Sequence, residues 1–208
     1  GEVVAHAICI AESGTPGPVV VALPTDVLAS ESKSKTVTRR NGTKVRPNDS
    51  DVADVAQQIT EEKRPVMIVG GRIDSAEARR ALQAASEAWG IPVLPTYVHQ
   101  DVFPNNHPNY AGELGIRPPD GVAETAKNAD LILAVGTKMG VGMATMNEQI
   151  PGDGQKVIHV YPDDGAIGRH FDVELGVVAD SNAFLEALNA QNAPEISEER
   201  QSWIASAR

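Results

Sequence analysis

RPVMIVGGRIDSAEARRALQAASEAWGIPVL, residues 64–94, decides the fold. Val66, Met67, Ile68 and Val69 follow a proline as a continuous apolar run, which predicts a buried strand. Gly70 and Gly71 then predict a turn in which the backbone bends sharply or approaches a neighbour closely. Asp74 is placed to cap a helix, with Glu77 three residues on as the second half of a capping box. Ala78, Leu82, Ala85 and Trp89 recur at helical spacing. Gly90 predicts the helix end, and residues 91–94 begin a second strand. Strand, turn, helix and strand together make one right-handed parallel crossover.

The same alternation continues outward. Downstream lie a long segment with four prolines (97–119), a short helix (121–128) and a strand, ADLILAVG (129–136). A glycine-containing loop (137–142), a short helix (143–149), a turn (151–155) and a third strand (157–160) follow. After the acidic turn at 161–165 comes a last strand (176–179), then a helix that Asp180 or Ser181 would cap, carrying Phe184, Leu185 and Leu188. Beyond residue 190 the chain turns polar and leads to a short helix with Trp203. Upstream, 49–62 is an amphipathic helix with Val52, Val55, Ala56 and Ile59 on its apolar stripe and Asp49 or Ser50 as cap. Alternating strands and helices over 49–190 predict an α/β fold: a three-layer, doubly wound parallel sheet of about six strands.

The start of the chain differs. Residues 2–12 are helix-like, 13–18 form a turn, and the apolar run 19–23 has the composition of a strand buried on both faces. A lone helix and strand cannot bury such a run, so both are expected to pack on something outside this chain. Residues 30–48 are polar and basic and read as an extended linker. The expected organisation is therefore a remnant of a neighbouring domain (1–29), a linker (30–48), the central domain (49–190) and a lead into a further domain (191–208). Gly1 in place of methionine fits a piece of something longer.

The 208 residues carry a formal net charge of −10, from 28 acidic and 18 basic side chains. That balance argues against a nucleic-acid-binding face or a polybasic membrane anchor, and no apolar run is long enough to span a bilayer. Cys9 is the single cysteine, so there is no internal disulfide, and a reducing, cytoplasmic setting fits. The histidines lack the spacing of a zinc motif; His99 and His107, in the long loop, read as solvent-exposed.

Ligands on doubly wound sheets bind beyond the carboxyl ends of the strands. Here those ends carry Gly70, Gly71 and Arg72, then Thr96 and Tyr97, then Gly136, Thr137 and Lys138, then Tyr161, Pro162 and Asp163, with Asp180 before the last helix. Gly70-Gly71 before a helix would suit a phosphate, though the full GxGxxG spacing is missing and a tight structural turn is the favoured reading. Arg72 and Lys138 would neutralise a diphosphate, and Asp163 or Asp180 would take a ribose or adenine end. Each also serves as an ordinary turn or cap residue. Gly152-Asp153-Gly154 reads as a turn, because it precedes a strand.

Taken in series, RPVMIVGG, GIPVLPTYVHQDVFPNNHPNYAGELG, ADLILAVG, VIHVYPDDGAIG and VVADSNAFLEAL resemble the Rossmann-like central domain of thiamine-diphosphate-dependent enzymes of the acetolactate synthase type. GTPGPVVVALPTDV resembles the last helix and strand of that family's preceding pyrimidine-binding domain. The resemblance implies a larger polypeptide with thiamine diphosphate and magnesium, a cytoplasmic homo-oligomer, and cofactor held by the first and third domains. The central domain holds FAD in some members, ADP in others and nothing in many. This sequence departs from the flavin pattern in the loop 137–142 and in having Tyr161 where an acidic residue stands. Three readings follow: part of a carbon–carbon bond-making or bond-breaking enzyme, a spacer that builds the oligomer, or a free-standing nucleotide-binding module for FAD or ADP.

Overall fold

The computed structural model describes residues 1–31, 33, 35, 43–140 and 150–207. The expected helix at 143–149 and much of the expected linker lie outside them. The chain divides into two units, Gly1–Val45 and Arg46–Arg208.

In the first unit, helix α1 (Glu2–Glu12) has no buried residue, and Val3, Val4, Ile8 and Ile10 are all exposed. Residues 19–23 form no strand, which corrects the expected one. They enter no strand pair among the described residues, and Val20 is 91% exposed. Helix α2 (Thr25–Ala29) follows Pro24 at the N-cap.

The second unit opens with α3 (Asp49–Glu61), then β1 (Pro65–Val69), α4 (Ala76–Trp89) and β2 (Val93–Pro95). After the long loop come α5 (Asp120–Asn128), β3 (Leu131–Val135), β4 (Lys156–Tyr161) and β5 (Leu175–Val178). Helices α6 (Ser181–Asn189) and α7 (Glu198–Ser206) close the chain. All strand pairs are parallel, in the order β2-β1-β3-β4-β5. Among the described residues the sheet thus has five strands, where about six were expected. The sixth lane is reduced to two isolated parallel bridges on the β2 edge, Val93 to Tyr110 and Thr96 to Leu114. They lie in the loop 97–119, which is therefore more regular than its prolines suggest.

Successive strand residues face opposite sides, and both sides are buried. Met67, Val69, Leu131, Leu133 and Val135 meet the apolar stripes of α3, α4 and α6. Val66, Ile68, Ile132 and Ala134 meet Ala126 of α5 and Trp203 of α7. The C-terminal helix is built into this second face: Trp203 Nε1 donates to Pro65 O at 2.9 Å.

Local caps differ from expectation in two places. Ser75, not Asp74, caps α4, its Oγ accepting from Ala78 N at 3.1 Å. Asp74 is instead drawn into an ion pair with Arg72. Neither Asp49 nor Ser50 caps α3: Asn48 occupies that position without a side-chain cap bond, its amide turned to Asp51 at 3.2 Å. Gly90 ends α4 in the left-handed region as expected, with φ +62°. Gly152-Asp153-Gly154 is a turn leading into β4. No helix among the described residues is long and apolar enough to cross a membrane.

Candidate functional site

Chain order reverses between β1 and β3: the chain leaves β1 toward β2 on one side and returns to β3 on the other. In a doubly wound sheet this is where the strand ends leave a crevice. A cleft of about 580 Å³ lies there. Of the expected site residues, Gly71, Arg72, Gly136, Thr137 and Lys138 line it. Gly70, Asp163 and Asp180 do not. Gly70 is packed on Thr137, where an added Cβ would stand 2.8 Å from Thr137 Cβ. Asp163 accepts from Gly165 N at 3.1 Å and caps a short 3-10 turn. Asp180 caps α6, its Oδ1 accepting from Ala183 N at 3.1 Å.

The histidines of the long loop are not solvent-exposed side chains as expected. His107 is 13% exposed and bonded to Glu87 at 3.0 Å. Its other ring nitrogen accepts from Asn109 N. His99 also lines the cleft, with Tyr97, Leu114, Ile116 and Tyr161. The reach of His99 is a tertiary contact, but a position four residues beyond Pro95, the last residue of β2, was within range of the strand-end rule.

Electrostatically the cleft stands apart from its surroundings. Among the described residues its lining has two cations, Arg72 and Lys138, and no carboxylate, in a chain of net charge −10. Arg72 is bonded to Asp74, and Lys138 is exposed.

Behind Thr137 sits His159, in the middle of β4 and 3% exposed. Its Nε2 pairs with Thr137 O at 2.8 Å and its Nδ1 with Gly168 N at 3.4 Å. A carbonyl only accepts and an amide N–H only donates, so the ring is neutral with its proton on Nε2. Burial pushes the His159 pKa below its ordinary value, opposed by the bond to Thr137. A folded pKa below the unfolded value of about 6.5 makes this contribution complete above that pH. It is lost as pH falls from there through the depressed folded value. The urea midpoints of wild type and His159→Gln should therefore converge between pH 7.5 and pH 5. A gap that is constant or widens over that range would count against the neutral, doubly bonded ring.

Residues 52–188 match the family model described as the thiamine pyrophosphate enzyme, central domain. The chain belongs to that family. Among its relatives, acetolactate synthase of Mycobacterium leprae (strain TN) is 30% identical over 192 residues, covering 90% of this chain and 31% of that protein. Glyoxylate carboligase of Escherichia coli O157:H7 is 27% identical over 211 residues, covering 98% of this chain and 35% of that protein. An X-ray structure described as that of a thiamin diphosphate-dependent enzyme from Mycobacterium smegmatis superposes with a TM-score of 0.74 at 22% identity. It covers 93% of this chain and 38% of that one, and carries the fold alone. The chain that holds this thiamine pyrophosphate central domain thus spans about a third of the length of the curated relatives it matches.

Proposed function

We propose that this central domain is a scaffold within a larger thiamine-diphosphate polypeptide that makes or breaks a carbon–carbon bond beside a carbonyl. The observation that carries the reading is the match over 52–188, in a chain that spans about a third of acetolactate synthases and glyoxylate carboligase. Thiamine diphosphate and magnesium belong to the flanking domains of that polypeptide in this reading. Among the described residues no group of three His, Cys, Asp or Glu side chains is placed to hold a metal ion.

The first unit supports the same reading. Its apolar side chains are exposed on α1, on α2 and along 19–23, and a surface of that kind calls for a partner. The rest of its own polypeptide is that partner here, with residues 1–29 completing the preceding domain and 30–48 linking it to the central one. Residues 191–208 pack onto the central domain through α7 before the chain leads toward the third domain, and the assembled enzyme is a cytoplasmic homo-oligomer.

The chain alone should neither bind thiamine diphosphate nor act as a decarboxylase or carboligase. Calorimetric titration with thiamine diphosphate and magnesium should give no isotherm with the 208-residue chain. A clear isotherm at micromolar ligand would overturn the scaffold reading.

A further inference from the structure

FAD or ADP at the switch point would need the strand-end glycines for close backbone approach, and this chain's own atoms fill all three positions. A Cβ on Gly71 would stand 2.5 Å from His99 Nε2. One on Gly136 would stand 2.7 Å from Ser181 Oγ and 2.9 Å from Arg72 Cβ, and Gly70 is packed on Thr137. The imidazole of His99 therefore lies on the open face of Gly71, where a diphosphate would meet the backbone.

His99 is held there. Its Nδ1 donates to Tyr97 O at 2.8 Å, since a carbonyl only accepts. Thr96 Oγ1 lies 3.3 Å from the same nitrogen. Between them Val98 has φ +61°, a left-handed conformation that strains a β-branched residue. Val98 N donates to Glu113 Oε1 at 3.1 Å, which helps hold the strained loop. Strain of this kind is retained where the surroundings over-determine a conformation.

Beside His99 the cleft has Tyr97, Leu114 and Ile116 on its lining together with Lys138 and Arg72. Apolar walls with a few convergent polar groups suit an organic ligand, and Lys138, with Arg72 already paired to Asp74 and no carboxylate in the lining, favours one that carries negative charge. We propose that His99 closes this cleft to nucleotide diphosphates and leaves a site for a small organic anion with an apolar or aromatic body. This goes beyond the scaffold reading and does not depend on it.

The test uses the whole 208-residue chain with phenyl phosphate, inorganic phosphate and ADP as probes, by ligand-observed NMR and calorimetry. Phenyl phosphate should bind about tenfold more tightly than inorganic phosphate, the step that one well-made contact supplies. ADP should bind no more tightly than inorganic phosphate. Lys138→Ala should weaken phenyl phosphate by about tenfold, and His99→Gly should strengthen ADP by about tenfold. Circular dichroism checks that the variants fold, with His99→Ser as the second choice if the glycine variant does not. ADP binding the unaltered chain more tightly than phenyl phosphate would overturn the proposal. So would equal binding of the two phosphates, or a folded His99 variant with ADP affinity unchanged.

Discussion

Arg200→Met should cost the domain about 3 kcal/mol, a large share of the roughly 5–15 kcal/mol that holds a typical domain together. Arg200 is 8% exposed. Its Nη1 donates to Trp89 O at 2.9 Å, and its Nη2 to Ile59 O at 2.9 Å and to Glu62 O. Those carbonyls are the unpaired ends of α4 and α3, where the helix dipoles are negative. One guanidinium thus serves two helix C-termini at once. Burial pulls its pKa below the ordinary guanidinium value, with Asp130 and Glu199 acting the other way. Methionine keeps the apolar stem but strands three carbonyls, at about 1 kcal/mol or more for each lost bond. Arg200→Lys should recover only part of the loss, because an ammonium lacks the planar fork that reaches both helices. Urea unfolding measures both variants. A methionine variant within about 1 kcal/mol of wild type would show that water or a neighbour replaces the guanidinium.

Gly136→Ala should destabilise by about 3 kcal/mol, part from the backbone and part from packing. Gly136 has φ +65°, and its missing Cβ would stand 2.7 Å from Ser181 Oγ and 2.9 Å from Arg72 Cβ. Gly154 separates the two contributions. It has φ +81° but nothing within 4 Å of an added Cβ. Gly154→Ala should therefore lose only the backbone share, about 1 kcal/mol. Chemical denaturation of the pair gives the contrast directly. Equal losses would mean that Arg72 and Ser181 yield freely, and that the strand ends are looser than their contacts indicate.

Much of the second unit was legible because its signals are local. The runs at 66–69 and 131–135 are apolar on both faces, as strands covered on both sides must be. The stripe on α4 and the glycine that ends it belong to one helix. What escaped was decided at a distance. The run at 19–23 has strand composition, yet a strand exists only by pairing. Ser75 outcompeted Asp74 as cap because Arg72 engages that carboxylate. His99 and His107 read as loop residues, and their burial depends on what the loop folds onto. The candidate site was legible in its location and in five of its glycine, threonine and cationic members. Its filling by His99 and Ser181 was not, because contacts between segments this far apart leave no periodicity.

Helix α7 carries a consequence for how the molecule is made. Trp203 bonds a residue 138 positions earlier, and Arg200 reaches carbonyls 111, 138 and 141 positions earlier. A ribosome delivers the chain in order, so the lower rim of the sheet is sealed only after α7 has emerged. Loop-closure entropy grows only slowly with such separations, whereas folding rates fall as contacts become less local. Synthesis that stops short of Arg200 therefore releases a sheet whose second face keeps α5 but lacks the cover that α7 supplies.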